Sequence, residues 1–151
     1  MSRDHLLAID QGTTGTRVVL YDSGANVVGT MAKELPQHYP QPGWVEHDTD
    51  DIWQAVAELT PRVLAQTSLS VDRIAAIGLT NQRETTVLWD RKTGRPVARA
   101  IVWQDRRTAD FCRMHADKEP WLHERTGLVL DPYFAGTKIR WLLENVSGVP
   151  L

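Results

Sequence analysis

The stretch Asp10-Gln11-Gly12-Thr13-Thr14-Gly15-Thr16-Arg17 constrains the fold more than any other, because of what stands on either side of it. Leu6-Leu7-Ala8-Ile9 before it reads as a buried strand, and Arg17 to Tyr21 after it reads as a second. A Walker loop or a Rossmann turn leads from a strand into a helix with a different glycine spacing, so a strand-to-strand placement argues against both. After a turn at Asp22-Ser23-Gly24, Asn26 to Met31 reads as a third strand, and three strands joined by tight loops predict an antiparallel meander. A glycine-and-threonine turn between strands can still wrap a phosphate, since its N–H groups and hydroxyls converge as donors and its glycines allow close approach. Asp10, at the end of the first strand, would face that phosphate, where a carboxylate holds Mg²⁺ directly or through water. The same spacing also suits a plain hairpin rich in turn formers.

Downstream, Pro36 to Trp44 holds three prolines and a glycine, which excludes a helix and leaves an ordered loop or crossover. Asp48-Thr49-Asp50-Asp51 offers capping oxygens and negative charge ahead of Ile52, Trp53, Val56, Leu59, Val63 and Leu64, whose spacing is helical, with Pro61 as a candidate kink. Ile74 to Leu79 is a continuous apolar run, the pattern of a strand covered on both faces, and it ends in the polar cluster Thr80-Asn81-Gln82-Arg83-Glu84. Thr85 to Trp89 and Ala100 to Trp103 read as two further strands, the first closed by a turn over Lys92 to Pro96. Beyond Asp105, the spacing predicts a helix around Ala109, Cys112 and Met114, another over Trp121 to Glu124, and an amphipathic third over Gly136 to Val146 built on Ile139, Trp141, Leu142 and Leu143. Meander, helix, covered strand, then mixed elements: this order predicts an α/β domain with a mixed sheet, of the actin-like or ribonuclease-H-like kind.

Length and composition narrow the function classes. A chain of 151 residues is enough for one core, so a single domain or part of one is expected. Net charge is −2 and the Lys and Arg residues are scattered, which gives no footprint for nucleic acid. The single cysteine, Cys112, excludes an internal disulfide and a thiolate cage, and fits a reducing compartment, the cytoplasm by default. The apolar opening of the chain is too short for a secretory core or a membrane span. The six tryptophans fall in different elements and read as core or interface anchors. His38, His47, His115 and His123 are too dispersed for a zinc site, and no Ser-His-Asp arrangement stands out.

Two places look able to hold a small ligand. Arg83-Glu84 follows the apolar run at its carboxyl end, where open α/β sheets gather ligands, and a cation beside an anion can donate to one hydroxyl of a polyol and accept from another. A surface ion pair is the plain alternative. Trp103, just before Gln104-Asp105-Arg106-Arg107, could pack on the carbon edge of such a ligand or lie in the core, and the Tyr133 hydroxyl could reach a ligand or cap a turn.

Taken together, Ile9-Asp10-Gln11-Gly12-Thr13-Thr14, Pro42-Gly43-Trp44-Val45-Glu46-His47-Asp48, Gly78-Leu79-Thr80-Asn81-Gln82-Arg83-Glu84-Thr85-Thr86, Ile101-Val102-Trp103-Gln104-Asp105-Arg106-Arg107 and Asp131-Pro132-Tyr133-Phe134 resemble the glycerol kinases, a branch of the FGGY sugar kinases, in the correct order and almost end to end. The resemblance implies Mg²⁺- and ATP-dependent phosphorylation of glycerol in a cleft between two actin-like domains. It implies that Arg83, Glu84, Trp103 and Tyr133 bind glycerol, that Gly12, Thr13, Thr14, Gly15 and Arg17 serve the ATP phosphates, and that Asp10 lies near the metal. At Gly15 the family usually has Ser, which removes one hydroxyl from the phosphate loop. The family's enzymes are much longer. Their general-base aspartate and second domain are expected beyond Leu151, so this chain is expected to be the N-terminal part alone, inactive by itself, with an end at Val149-Pro150-Leu151 that leaves a sheet edge uncovered and prone to association. The parent is expected to be a homo-oligomer. A kinase of another polyol or sugar, such as erythritol, xylulose or gluconate, and a non-catalytic actin-like nucleotide-binding module are the competing readings.

Overall fold

A computed structural model of the chain describes residues 3–147; the closing Val149-Pro150-Leu151, on which the expected truncated edge was placed, lies outside them. In chain order the strands are β1 (His5–Gln11), β2 (Gly15–Tyr21), β3 (Val27–Glu34), β4 (Glu46–His47), β5 (Ile74–Thr80) and β6 (Ala100–Ile101). The helices are α1 (Thr49–Gln66), α2 (Ala109–Met114), α3 (Glu119–Thr126) and α4 (Ala135–Asn145). The chain forms two compact units, one of Met1–Pro36 and Asp50–Gln82, the other of Gln37–Thr49 and Arg83–Leu151.

The first unit is a mixed sheet in the order β3-β2-β1-β5. Its first three strands are the expected antiparallel meander, and β5 joins β1 in parallel. Side chains alternate across the sheet, so Leu7 and Ile9 of β1 share a face with Val18 and Leu20 of β2, and Leu59 and Val63, one turn apart on α1, close over them. All six are buried. Each such side chain stabilises by roughly 1.5–3 kcal/mol, so this cluster is what holds the helix to the sheet. The approach of β3 to α1 is tight: a Cβ at Gly29 would lie 2.6 Å from the Thr67 methyl and 3.2 Å from a Val63 methyl. α1 continues past Pro61, and both Pro61 and Ala57, whose carbonyl loses its helical donor, are exposed. Arg73 anchors the start of β5 to that of β1 through Asp4 at 2.6 Å, and this bond holds the Asp4 carboxyl below its ordinary range.

The expectation that Ile74 to Leu79 is covered on both faces is corrected here. In the parallel register Ile77 lies beside Leu7 and Leu79 beside Ile9, so both continue the core face. α1 covers only the meander, and Ile77 and Leu79 are 62% and 71% exposed. The apolar run is real, but only Ile74, at its start, packs against the core cluster; the rest of the strand is exposed among the described residues. Exposed apolar side chains along an open strand edge favour self-association. Accordingly, a double substitution Ile77→Lys/Leu79→Lys is expected to lower the concentration-dependent mass of the purified chain in light scattering while shifting its stability by no more than ~0.5 kcal/mol per site, as for other exposed positions.

In the second unit β4 and β6 form a two-stranded antiparallel ladder. Ala100, Ile101 and Val102 are buried there with His47, Cys112 and Leu142, and burial lowers the His47 pKa and raises that of the Cys112 thiol. Two expected strands shrink. Thr85 to Trp89 is not a strand: Thr86 exchanges two backbone hydrogen bonds with Ile101, Trp89 bridges Pro96, and no continuous ladder runs between them. Ala100 to Trp103 is reduced to two residues, after which the chain turns. The three expected helices are present as α2, α3 and α4, but the buried line of α4 runs through Lys138 and Leu142, while Ile139 is 40% exposed.

Candidate functional site

In the first unit the turn between β1 and β2 is shaped by inward hydrogen bonds. The Gly12 N–H donates to the Gly15 carbonyl at 2.9 Å, so this donor is occupied in closing the turn. Thr16 donates to the buried Gln11 side chain at 2.6 Å, and Gln11 donates in turn to the Gly12 carbonyl. Gln82, just past β5, donates to the same carbonyl at 3.0 Å. The exposed Thr14 side chain and the Arg17 guanidinium stand at an open hollow of about 420 Å³, lined also by Asp10, Lys33 and Glu34. Arg17 donates to Asp10 at 3.0 Å, with both side chains largely in solvent. Thr13 is half-buried beside them. The Arg17 cation, the Asp10 carboxylate and the Thr14 side chain thus stand at one rim.

Gly15 has a reason to be glycine. A Cβ there would sit 2.6 Å from the Lys33 carbonyl, a backbone atom of the neighbouring strand that cannot step aside alone. Gly15→Ser, which would restore the hydroxyl usual in the family that the sequence resembles, is therefore expected to destabilise the chain by about 1–3 kcal/mol in denaturant unfolding, as overpacking does. A neutral result would mean that β3 yields freely at Lys33.

The second unit gathers the other candidates around the start of α4. Glu84 sits at φ 62°, a left-handed conformation that costs a non-glycine residue about 1–3 kcal/mol. It is held there from across the unit: the Ala135 N–H, at the first turn of α4, donates to Glu84 Oε2 at 2.8 Å. Tyr133, two residues before Ala135, meets Trp103 edge to face with centroids 5.9 Å apart. Glu84, Trp103 and Tyr133 are thereby brought together, and Arg83 is exposed next to Glu84, with no ion-pair partner among the described residues.

Three contributors escaped the sequence reading. Gln82 braces the turn between β1 and β2; its place in the polar cluster after an apolar strand was the available signal. Arg107 is 2% exposed and forks onto Asp105, with Nε at 3.0 Å and Nη2 at 2.8 Å, while Nη2 also reaches Glu46 at 2.8 Å. Its guanidinium lies 3.8 Å from the Trp44 ring centroid and 4.6 Å from that of Trp141. Asp105, itself buried, accepts the Val45 N–H at 2.7 Å. The segment that carries Trp103 is thus clamped two to four residues after it. Lys138 is fully buried, and neither periodicity nor motif pointed to it.

Residues 5–150 match the family model described as the FGGY family of carbohydrate kinases, N-terminal domain. The glycerol kinase of Agrobacterium fabrum is 54% identical over 147 residues, 96% of this chain and 30% of that protein. That of Halorhodospira halophila is 56% identical over 151 residues, 99% of this chain and again 30% of its own length. The chain thus spans about a third of the curated relatives it matches. Among solved structures, the Plasmodium falciparum glycerol kinase with ADP superposes with a TM-score of 0.89 at 34% identity, over 98% of this chain and 30% of that one. A gluconate kinase from Lactobacillus acidophilus superposes with 0.85 at 23% identity, over 96% and 29%, and speaks for the fold alone.

Proposed function

Since this chain belongs to the FGGY family of carbohydrate kinases, as the N-terminal domain of that family, we propose that it supplies the phosphate loop and most of the polyol pocket of an enzyme that phosphorylates glycerol with ATP. Its fold is the actin-like α/β fold with a mixed sheet. The observation that carries the choice of substrate is the meeting of Glu84, Trp103 and Tyr133 at the start of α4, with Arg83 alongside. Arg83 would donate to one hydroxyl of a short triol and Glu84 Oε1 would accept from another, while the two aromatic rings cover its C–H edge. The remaining length seen in the relatives would bring the general base and the second domain.

On the nucleotide side, Thr13, Thr14 and the N–H of Gly15 would donate to phosphate oxygens, with Arg17 adding charge. The Gly12 carbonyl and N–H would act indirectly, by holding the turn. Among the described residues no group of three or more His, Cys, Asp or Glu gathers to hold a metal. Mg²⁺ is commonly bound by one or two carboxylates together with substrate phosphates, and Asp10 would be the carboxylate. Bound there, the ion would neutralise charge on the phosphates. Phosphoryl transfer needs a closed, fully assembled site, so the 151-residue chain alone is expected to turn over no glycerol. We place the parent enzyme in the cytoplasm and expect it to be a homo-oligomer; no helix among the described residues is long and apolar enough to cross a membrane.

A chimera tests this reading. With this chain in place of the matched segment of the Agrobacterium enzyme, glycerol phosphorylation is expected, and Arg83→Ala should lower kcat/KM for glycerol by about 10- to 100-fold, the loss of a charge-assisted hydrogen bond of ~1.5–3 kcal/mol. Calorimetry on the chain alone, with and without Arg83→Ala, then asks whether the half-pocket binds before the rest is added. Phosphorylation of xylulose or gluconate in preference to glycerol would assign another sugar branch. ATP binding by the chimera without transfer to any polyol would leave a nucleotide-binding module.

A further inference from the structure

Lys138, in the first turn of α4, has no exposed surface, and its Nζ donates to the Tyr133 carbonyl at 2.6 Å. Burying an ammonium is costly unless its surroundings are built for it. Here they are. Glu84 from the segment after β5, Asp105 from the segment after β6 and Asp131 from the loop before α4 each act on it as negative charges. Each carboxylate has a second occupation: Glu84 on the Ala135 N–H, Asp105 on Arg107 and the Val45 N–H, Asp131 on Arg106 and the Tyr133 N–H. Tyr133 is therefore held at both backbone groups, its N–H by Asp131 and its carbonyl by Lys138. The turn from Tyr133 to Ala135 carries the ring that meets Trp103 and the N–H that holds Glu84.

We propose that Lys138 is the positioning residue of the polyol half-site: its buried ammonium fixes the turn from Tyr133 to Ala135, and through that turn sets the Tyr133 ring against Trp103 and the Glu84 carboxylate toward the ligand. The name of the ligand rests on the function proposed above; the geometry is a property of this chain. Burial also lowers the Lys138 pKa to about 8, against the pull of the three carboxylates, so its charge is lost in mild alkali. Its hydrogen bond to the Tyr133 carbonyl then passes from charge-assisted to neutral, which weakens it by roughly half.

Carbon-13 NMR of the 151-residue chain between pH 6 and 10 reads this without any ligand. The carbonyl of Tyr133, the carboxyl of Glu84 and the ring carbons of Trp103 are expected to move together with one midpoint near 8. In Lys138→Met that step should vanish while the chain stays folded. In Lys138→Arg the signals should hold their low-pH positions throughout, and this variant decides the matter if the methionine variant does not fold. Tyr133, Glu84 and Trp103 signals that behave alike in all three proteins would overturn the proposal. A second arm adds glycerol at pH 7: binding should weaken at least 10-fold in Lys138→Met and be largely kept in Lys138→Arg. Glycerol that moves no signal in the unaltered chain counts against a preformed glycerol pocket, and the ligand-free arm still decides the role of Lys138.

Discussion

Arg107→Ala is expected to lower the unfolding free energy of the chain by about 3–5 kcal/mol in urea denaturation, more than any surface substitution could. Arg107 and Asp105 are 2% and 0% exposed, and Glu46 only 14%, so removing the guanidinium strands a buried carboxylate that water cannot reach. The attraction of the pair in isolation is not what sets this figure. A buried ion pair as a whole can be close to neutral against an apolar replacement, whereas half of one is strongly unfavourable. The stacking of the guanidinium on Trp44 and Trp141 adds to the loss. Arg107→Lys separates the contributions, because an ammonium keeps the charge but cannot reproduce the two-pronged bond to Asp105 or the flat stack between rings. It should recover about half of the lost stability. A cost below ~1 kcal/mol for Arg107→Ala would mean that Asp105 is compensated without Arg107, by water or by the Lys138 ammonium.

Raising the pH from 8 to about 10.5 is expected to stabilise the second unit, the opposite of what a solvent-exposed ion pair would give. The ordinary lysine value is 10.5, and burial brings Lys138 to about 8, so across this window the unfolded chain binds more protons than the folded one. Stability therefore climbs with pH between the two values. Below 8 the lysine is charged in both states and the burial penalty is fully present; above 10.5 it is neutral in both and the penalty is gone. The gap corresponds to at most about 3 kcal/mol. Lys138→Met should remove the climb, because it removes the group that titrates between the two values. The check is urea unfolding at half-unit pH steps for both proteins, read as their difference, which cancels the titration of other groups. A difference that does not change with pH would show that Lys138 keeps its proton throughout.

What the residues disclosed by themselves follows the range of the forces involved. The meander was legible because its turns are local: Asp22 bonds the N–H groups of Gly24 and Asn26, and short connections leave the strands little choice of neighbour. The type of β5 was legible in its apolar run, but its cover was not, since such a run records what a strand is suited to touch rather than what lies over it. Thr85 to Trp89 has strand-forming residues and finds only two isolated bridges, because β propensity needs a continuous partner to become a strand. Arg83 and Glu84 stood out as a pair after a strand. That Glu84 would hang from Ala135, 51 residues later, was written in no local pattern. Lys138 was hidden for a related reason: helical periodicity assigns lysine to the wet face, and only the three carboxylates arriving from elsewhere make the buried position tolerable. Gly15 was noted as a missing hydroxyl, whereas the strand pressed against it explains the glycine.

The Gln82 bond to Gly12 has a consequence for the order of events as the chain folds. β1, β2 and β3 are joined by short turns, so their pairing needs little loop closure and can form within microseconds to milliseconds of collapse. β5 reaches β1 only across the whole of α1, and Gln82 follows it by two residues. Closing so long a loop carries an entropy cost that must be met before any contact repays it. The turn between β1 and β2 thus acquires its final brace with the last strand of this sheet to dock. A ribosome-bound chain released before Gln82 would carry a formed hairpin with an unset loop, and the final set of that turn would lag behind secondary structure in time.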